Sequence, residues 1–312
     1  MNTLFDIGII PVINIDDPSA TLDVAKALME GGIPCAEITF RTPYATEAIS
    51  EIKKHFPKMC VGAGTILTTQ QVDEAIEAGA EFLVSPGLNQ KIVKYAQSKG
   101  IEFYPGCSSA SEIELALELG VTTIKFFPSE SMGGLPTIKA LAAPYDKIRF
   151  MPTGGINESN IGEYLMYDKV IACGGSFMIP TDLVQTRQFD QITALCRQTV
   201  KHALGIEFMK LKLNTPDPLA VATAIQHLTM DTIQKTSSGH LIGQSLEVLT
   251  APHLSQQGQI ILGVNNIQRA IRYYKHIGIM FDEETKQYEN GQLVSICFAK
   301  EPGGFSFKLH QK

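Results

Sequence analysis

The 312-residue sequence predicts an α/β chain: a (β/α)₈ barrel over residues 1–205, then a second, smaller α+β domain over residues 206–312. Three observations predict it. Eight apolar, β-rich runs recur through the first 205 residues, amphipathic helical stretches separate them, and the pattern changes near Gly205.

The eight runs are Ile7–Ile15, Ala36–Phe40, Met59–Gly62, Phe82–Val84, Glu102–Tyr104, Thr123–Phe127, Ile148–Met151 and Val170–Cys173. Most are nearly continuous in apolar residues, as strands buried on both faces must be. Between them, Thr21–Glu30 places Leu22, Ala25, Leu28 and Met29 at helical spacing behind an Asp17 or Ser19 cap. Gln70–Glu77 and Ser111–Leu119 are further helical stretches. Strands alternating with helices imply parallel pairing. Eight such units in about 200 residues have the count and size of a compact TIM barrel. The alternative is a doubly wound open sheet, but no GxGxxG motif follows the first strand.

From Glu207 the pattern becomes a strand (Phe208–Leu213), a helix (Pro218–Leu228) and short strands with turns. A strand (Gln259–Val264), a helix (Ile267–His276) and strands ending at Phe305–His310 follow. Two β-α-β-rich halves suggest an internal duplication. Charge shifts too: residues 1–205 carry 16 basic and 23 acidic residues, the remainder 10 and 9, and five of the seven histidines lie in the second region.

Composition bounds the function. A 44% hydrophobic and 19% charged chain is ordinary for a soluble globular protein. No apolar run reaches the roughly 18 residues that span a bilayer. No basic stretch precedes the apolar N-terminal run, so no signal peptide is expected. A net charge of −6 without Lys/Arg runs disfavours nucleic acid as a partner. The six cysteines form no CxxC pair, and buried free thiols in a reducing cytoplasm fit them better than disulfides.

In a barrel the chemistry gathers at the C-terminal strand ends. Lys125 interrupts the apolar run Thr123–Phe127. Burial disfavours an ammonium ion, so its pKa should fall and leave neutral amine able to attack a ketone. The competing reading is a lysine snorkelling at a strand end or held in a structural ion pair. Glu37, Thr39 and Arg41 alternate along the second strand and so share one face. Glu37 suits proton transfer and Arg41 bidentate carboxylate binding, against a structural Glu–Arg pair within the strand. Glycine-rich strand ends, Gly62–Thr65, Ser85–Gly87, Thr153–Ile156 and Gly174–Ser176, let backbone N–H groups approach an anion, although tight turns also want glycine. The pair after strands seven and eight matches the usual barrel phosphate site. His55 and His202, the barrel region's two histidines, fall in outer helices, which leaves no metal set at the mouth.

The runs Gly32–Arg41 and Gly120–Ser129, with Gly133 following, resemble the two signatures of the 2-keto-3-deoxy-6-phosphogluconate / 4-hydroxy-2-oxoglutarate aldolase family. The similarity covers about residues 1–205. It implies a class I, Schiff-base aldolase acting on a small 2-keto acid, a homotrimer, and neither cofactor nor metal. By that resemblance Lys125 forms the imine and Glu37 shuttles protons. Arg41 and Thr65 hold the carboxylate, Pro86 and Phe127 line the pocket, and Gly154, Gly155 and Ser176 hold a distal phosphate. The products would be pyruvate with glyceraldehyde 3-phosphate or glyoxylate. Many members carry arginine where this chain has Asn14, a departure that bears on substrate selectivity rather than chemistry.

The second region resembles a glyoxalase-like (vicinal oxygen chelate) domain, through Ile260–Val264, the helix Ile267–His276 and the phrase Tyr273–Ile279. Metal-bearing members place His or Glu where this chain has Lys210, Lys212, Gly263 and Lys308. His240, His253 and His310 are the remaining candidate ligands, and a metal-free domain serving assembly or ligand sensing is expected. Two rival readings remain: a small-molecule sensor whose barrel is inactive, and a C-terminal half that is a metal enzyme in its own right.

Overall fold

The computed structural model describes residues 3–250 and 255–312, with the side chain of Thr3 excepted. His253 therefore lies outside the described residues. The chain divides into two compact units, Met1–Ala203 and Leu204–Lys312.

The first unit is built on eight parallel strands: β1 (Ile9–Ile13), β2 (Cys35–Thr39), β3 (Cys60–Gly64), β4 (Phe82–Val84), β5 (Glu102–Tyr104), β6 (Thr123–Phe126), β7 (Arg149–Pro152) and β8 (Cys173–Gly175). One sheet runs β5-β4-β3-β2-β1-β8, and β6 pairs with β7. Isolated bridges, Gly106 with Lys125 and Thr153 with Gly174, join the pair to both sheet edges. The hydrogen-bonded neighbours therefore run once around in sequence order and return to β1. Every residue of β2, β3, β4 and β8 is buried, the signature of strands covered on both faces.

The helices used below are α1 (Thr3–Ile7), α2 (Thr21–Glu30), α3 (Ala45–His55), α4 (Thr69–Glu77), α5 (Gln90–Ser98), α6 (Ala110–Glu118), α7 (Gly134–Ala142), α8 (Ile161–Met166), α9 (Thr181–Gln185) and α10 (Phe189–Leu204). Each of α3 to α6 turns a buried aliphatic stripe inward, such as Ala48, Ile49 and Ile52 on α3. Side chains cap several: Thr68 and Gln71 make a capping box on α4, Asn89 caps α5 and Ser109 caps α6.

Three sequence expectations are corrected. Ile7 ends a helix rather than opening β1, because Gly8 at φ 73° breaks the chain direction. Neither Asp17 nor Ser19 caps α2; Asp17 caps the short 3₁₀ turn Pro18–Ala20 that leads into it. The eighth strand is Cys173–Gly175, not Val170–Cys173. Val170 and Ile171 instead hold to Phe150 on β7, and pairing to β1 starts only at Cys173.

The second unit repeats one order of elements. Its first half is β9 (Glu207–Asn214), α11 (Pro218–Thr229), β10 (Ile233–Lys235), β11 (Gly239–Ile242) and β12 (Leu246–Leu249). Its second half is β13 (Gly258–Val264), α12 (Ile267–His276), β14 (Phe281–Glu289), β15 (Gln292–Phe298) and β16 (Phe305–Gln311). The eight strands form one sheet ordered β10-β11-β12-β9-β13-β16-β15-β14. Each half's first strand pairs parallel with its own last strand, and the halves meet antiparallel at β9 and β13. The strand order is thus symmetric about the β9–β13 seam, with the halves running in opposite directions.

Candidate active site

Lys125 and Glu37 meet across the ring. Lys125 is the third residue of β6 and Glu37 the third of β2. Lys125 Nζ lies 3.3 Å from Glu37 Oε1, with the side chains only 8% and 2% exposed. Parallel strands position both: Glu37 is opposite Gly62 on β3, and Lys125 is opposite Met151 on β7. The Lys125 backbone is fixed on its other side by bonds to Pro105 and Cys107. A cation and an anion buried together cost far less than either alone. The Lys125 amine also stands 5.4 Å from the centroid of the Phe127 ring.

Glycine on β3 makes this pairing fit. A Cβ at Gly64 would collide with the Glu37 carboxylate, and one at Gly62 would collide with the Phe82 ring. These glycines yield space to protein groups, which is a packing reason for glycine at both positions. Gly174 likewise yields to Thr153.

The structural Glu37–Arg41 pair entertained from sequence does not form. Arg41 lies beyond the end of β2 and is exposed, whereas Glu37 faces Lys125. Thr39, between them, donates its hydroxyl to Asn14 Oδ1 at 2.9 Å, and Asn14 Nδ2 donates to Asp16 at 2.8 Å. Arg41, Thr39, Asn14, Asp16 and Ser176 share the wall of a cavity of about 340 Å³ at the β1–β2–β8 rim. Lys125 and Glu37 are not among its lining residues.

The remaining predicted residues all follow the C-terminal ends of their strands. Thr65, after β3, adopts φ 60°. A β-branched residue there is strained by roughly 1–3 kcal/mol. Among the described residues its hydroxyl has no hydrogen-bond partner. Pro86, after β4, is exposed, and its carbonyl packs on Gly106. Phe127, after β6, is half-buried beside Gly154, whose absent Cβ would sit 3.3 Å from its ring. Gly154 and Gly155 adopt φ 94° and 82°, so only glycine takes these positions without strain. Among the described residues the N–H groups of Gly155 and Ser176 find no acceptor.

One network was not legible beforehand. On α8, the Tyr164 hydroxyl donates to Glu130 and stands 3.0 Å from Ser129 Oγ, tying the turn after β6 to the β7–α8 side. Burial and then Glu130 push the Tyr164 phenol up, so it stays a donor. Tyr164 sits 34 residues from Glu130 in a plain amphipathic pattern, which carries no sequence signal.

Residues 1–195 match the family model for KDPG and KHG aldolase. A 2-dehydro-3-deoxy-phosphogluconate aldolase of Treponema pallidum is 44% identical over 205 residues, which cover 64% of this chain and 98% of that protein. A KHG/KDPG aldolase of Escherichia coli K12 is 41% identical over 195 residues, covering 62% and 92%. Among solved structures, the KDPG aldolase of Legionella pneumophila, with pyruvate captured at low pH as a covalent carbinolamine intermediate, is similar. Its TM-score is 0.62 at 36% identity, covering 64% of this chain and 98% of that one.

Proposed function

Because this chain belongs to the KDPG and KHG aldolase family, we propose that its first unit is a (β/α)₈ barrel that cleaves a small 2-keto acid by Schiff-base chemistry on Lys125. The substrates are 2-keto-3-deoxy-6-phosphogluconate, giving pyruvate and glyceraldehyde 3-phosphate, and 4-hydroxy-2-oxoglutarate, giving pyruvate and glyoxylate. The observation that carries the mechanism is the buried contact of Lys125 with Glu37 at 3.3 Å.

Once its ammonium has passed a proton to Glu37, the Lys125 amine adds to C2 of the keto acid, and the carbonyl oxygen takes that proton to give a carbinolamine. Loss of water leaves an iminium. Glu37, within reach of the amine, supplies and removes these protons. It then takes the proton of the C4 hydroxyl as the C3–C4 bond breaks. The bonding pair moves into the iminium, leaving an enamine while the aldehyde departs. Protonation at C3 and hydrolysis return pyruvate and the free amine. Arg41 and Thr65 hold the carboxylate, and Pro86 and Phe127 wall the keto acid. The N–H groups at Gly154, Gly155 and Ser176 suit a distal phosphate. The enzyme works as a cytoplasmic homotrimer without a cofactor, and residues 206–312 form a glyoxalase-like domain with no catalytic metal. Among the described residues no three His, Cys, Asp or Glu side chains gather as a metal set, and His240 and His310 lie on opposite faces of the sheet by strand register.

The test is pyruvate release from each substrate, in the presence of a chelator, by the wild type and Lys125→Ala, with borohydride trapping of pyruvate. Chelator-resistant release lost in the variant, with a covalent adduct only on the wild type, is expected. No release from either substrate by the wild type would leave the sensor reading in its place.

A further inference from the structure

The C-terminal sheet presents two unlike faces. Both of its helices cover one: Ala222 of α11 packs with Ile242 and Val248, and Tyr274 of α12 packs edge-on against Phe281 and Phe298. Side chains alternate along strands, so register assigns the other face. On it, Glu247 is opposite Lys212 and Lys212 is opposite Gln259. Lys210 is opposite Ile261, and Ser306, Lys308 and His310 oppose Gln259, Ile261 and Gly263. Ser295 and Cys297 continue the row on β15.

This helix-free face is polar at its centre and yet buried there. Gln259, Ser295 and Ser306 are 3%, 0% and 4% exposed. Gln259 Nε2 donates to Ser306 Oγ at 3.4 Å, and Ser295 Oγ donates to Gln287 at 2.8 Å. Polar groups are costly to bury without a purpose.

Two of its lysines are left unpaired among the described residues. Glu247 is committed to Lys212 at 3.3 Å and to the Thr236 and Ser238 hydroxyls, and Glu207 pairs with Lys312 at 3.1 Å. Asp282 stands exposed on the edge strand β14, opposite Cys297, and Glu289 closes that strand. Between these, Lys210 and Lys308 have no ion-pair partner among the described residues, and Lys308 donates to the neutral Gln287 at 2.7 Å. Burial pushes the Lys308 ammonium down; Cys297 opposes it, and the charge of Lys212 adds a smaller downward push. Burial and then Lys308 push His310 down, against Glu289.

We propose that this face binds a small oxyanion, a molecule bearing a carboxylate or phosphate group, between Lys210, Lys212 and Lys308 above the Gln259–Ser306 floor. Lys210 and Lys308 flank Ile261 from adjacent strands, two strand spacings or roughly 9.5 Å apart at the backbone. That gap suits one small anion bridged by two ammonium groups. The inference stands independently of the aldolase reading.

The test uses the full chain with ¹³C-labelled histidine and follows the His310 ring resonances, identified by their loss in His310→Gln. Sodium phosphate and sodium malonate are titrated separately against sodium chloride at equal ionic strength. A saturable shift of His310 is expected, with half-saturation weakened at least about ten-fold in Lys308→Gln and in Lys210→Gln. Response to phosphate alone assigns a phosphate-bearing ligand, and response to malonate alone a carboxylate. His310 reports only this face, so anions in the barrel do not confuse the reading. No saturable shift with either probe overturns the proposal. So does a shift that survives both lysine substitutions, or one that follows protein concentration instead of probe, which would mark a face between copies.

Discussion

The role proposed for Glu37 rests on its contact with Lys125, so its prediction belongs to a single atom pair. Glu37→Gln keeps the volume and removes the charge beside Lys125. The kcat for pyruvate release should fall by about 10² to 10⁴, while borohydride still traps pyruvate slowly on Lys125. Unchanged kcat would remove Glu37 from proton transfer. Gly64→Ala probes the same contact from behind, since the new methyl would collide with the Glu37 carboxylate. A fall in kcat of at least about ten-fold is expected from a displacement of that kind, with unfolding shifted only modestly. Wild-type kinetics would show that the carboxylate has room to move. Among the predicted site residues, Lys125 and Glu37 stood out in the sequence because each breaks an apolar strand, and the structure brings the two together. The meaning of Gly64 was not legible there, because its neighbour across the sheet is invisible in the chain.

At the scale of elements, strand burial governs the thiols. All six cysteines are free and buried, and Cys35 lies opposite Cys60 on adjacent strands. Burial pushes Cys107 and Cys196 up to about 12, with Glu112 adding to the first, and it pushes Cys35 well up, helped by Cys60. The thiolate is the reactive form, so a disulfide reagent at pH 8 should titrate few or none of the six in the native protein and all six in denaturant. Rapid native reaction at Cys107 would contradict the burial. Helix α6 makes a pH prediction. Burial raises the Glu112 carboxyl, but bonds from Ser108 and Ser109 outweigh it, and the net is downward. A depressed carboxyl stabilises the fold above its unfolded value of about 4.3, and that contribution is lost as pH falls through the folded value. Urea unfolding followed below pH 5 should therefore lose stability less steeply in Glu112→Gln than in wild type. Parallel acid limbs would show that the caps do not sense this charge. The sequence showed this helix as the stretch Ser111–Leu119 without its Ser109 cap, whereas Val170–Ile171 read as strand because apolar composition does not say which neighbour a segment will join.

For the whole molecule, the family match ends at residue 195, and the first unit closes with α10, which packs Thr193 onto Ala27 and Arg197 onto Glu30 of α2. A chain cut after Gly205 keeps that closing helix. It should fold and release pyruvate at a kcat within about two-fold of full length, since additivity holds for independent regions. An insoluble or inactive fragment would mean that the C-terminal unit is needed to complete the barrel or its assembly.

The sequence by itself determined the parallel α/β ring, the place where its character changes near Gly205, and the lysine and glutamate at its centre. Each follows from local facts: apolar runs of strand length, alternation with amphipathic helices, and charged residues where burial penalises charge. Only the tertiary structure decided that Glu37 faces Lys125 rather than Arg41, that β3 glycines make way for a carboxylate and a ring, and that three lysines gather on one face of the second sheet. Those outcomes depend on register between strands tens of residues apart. A shift of one residue turns every side chain to the other face, and the choice of register is made by the packing of the whole.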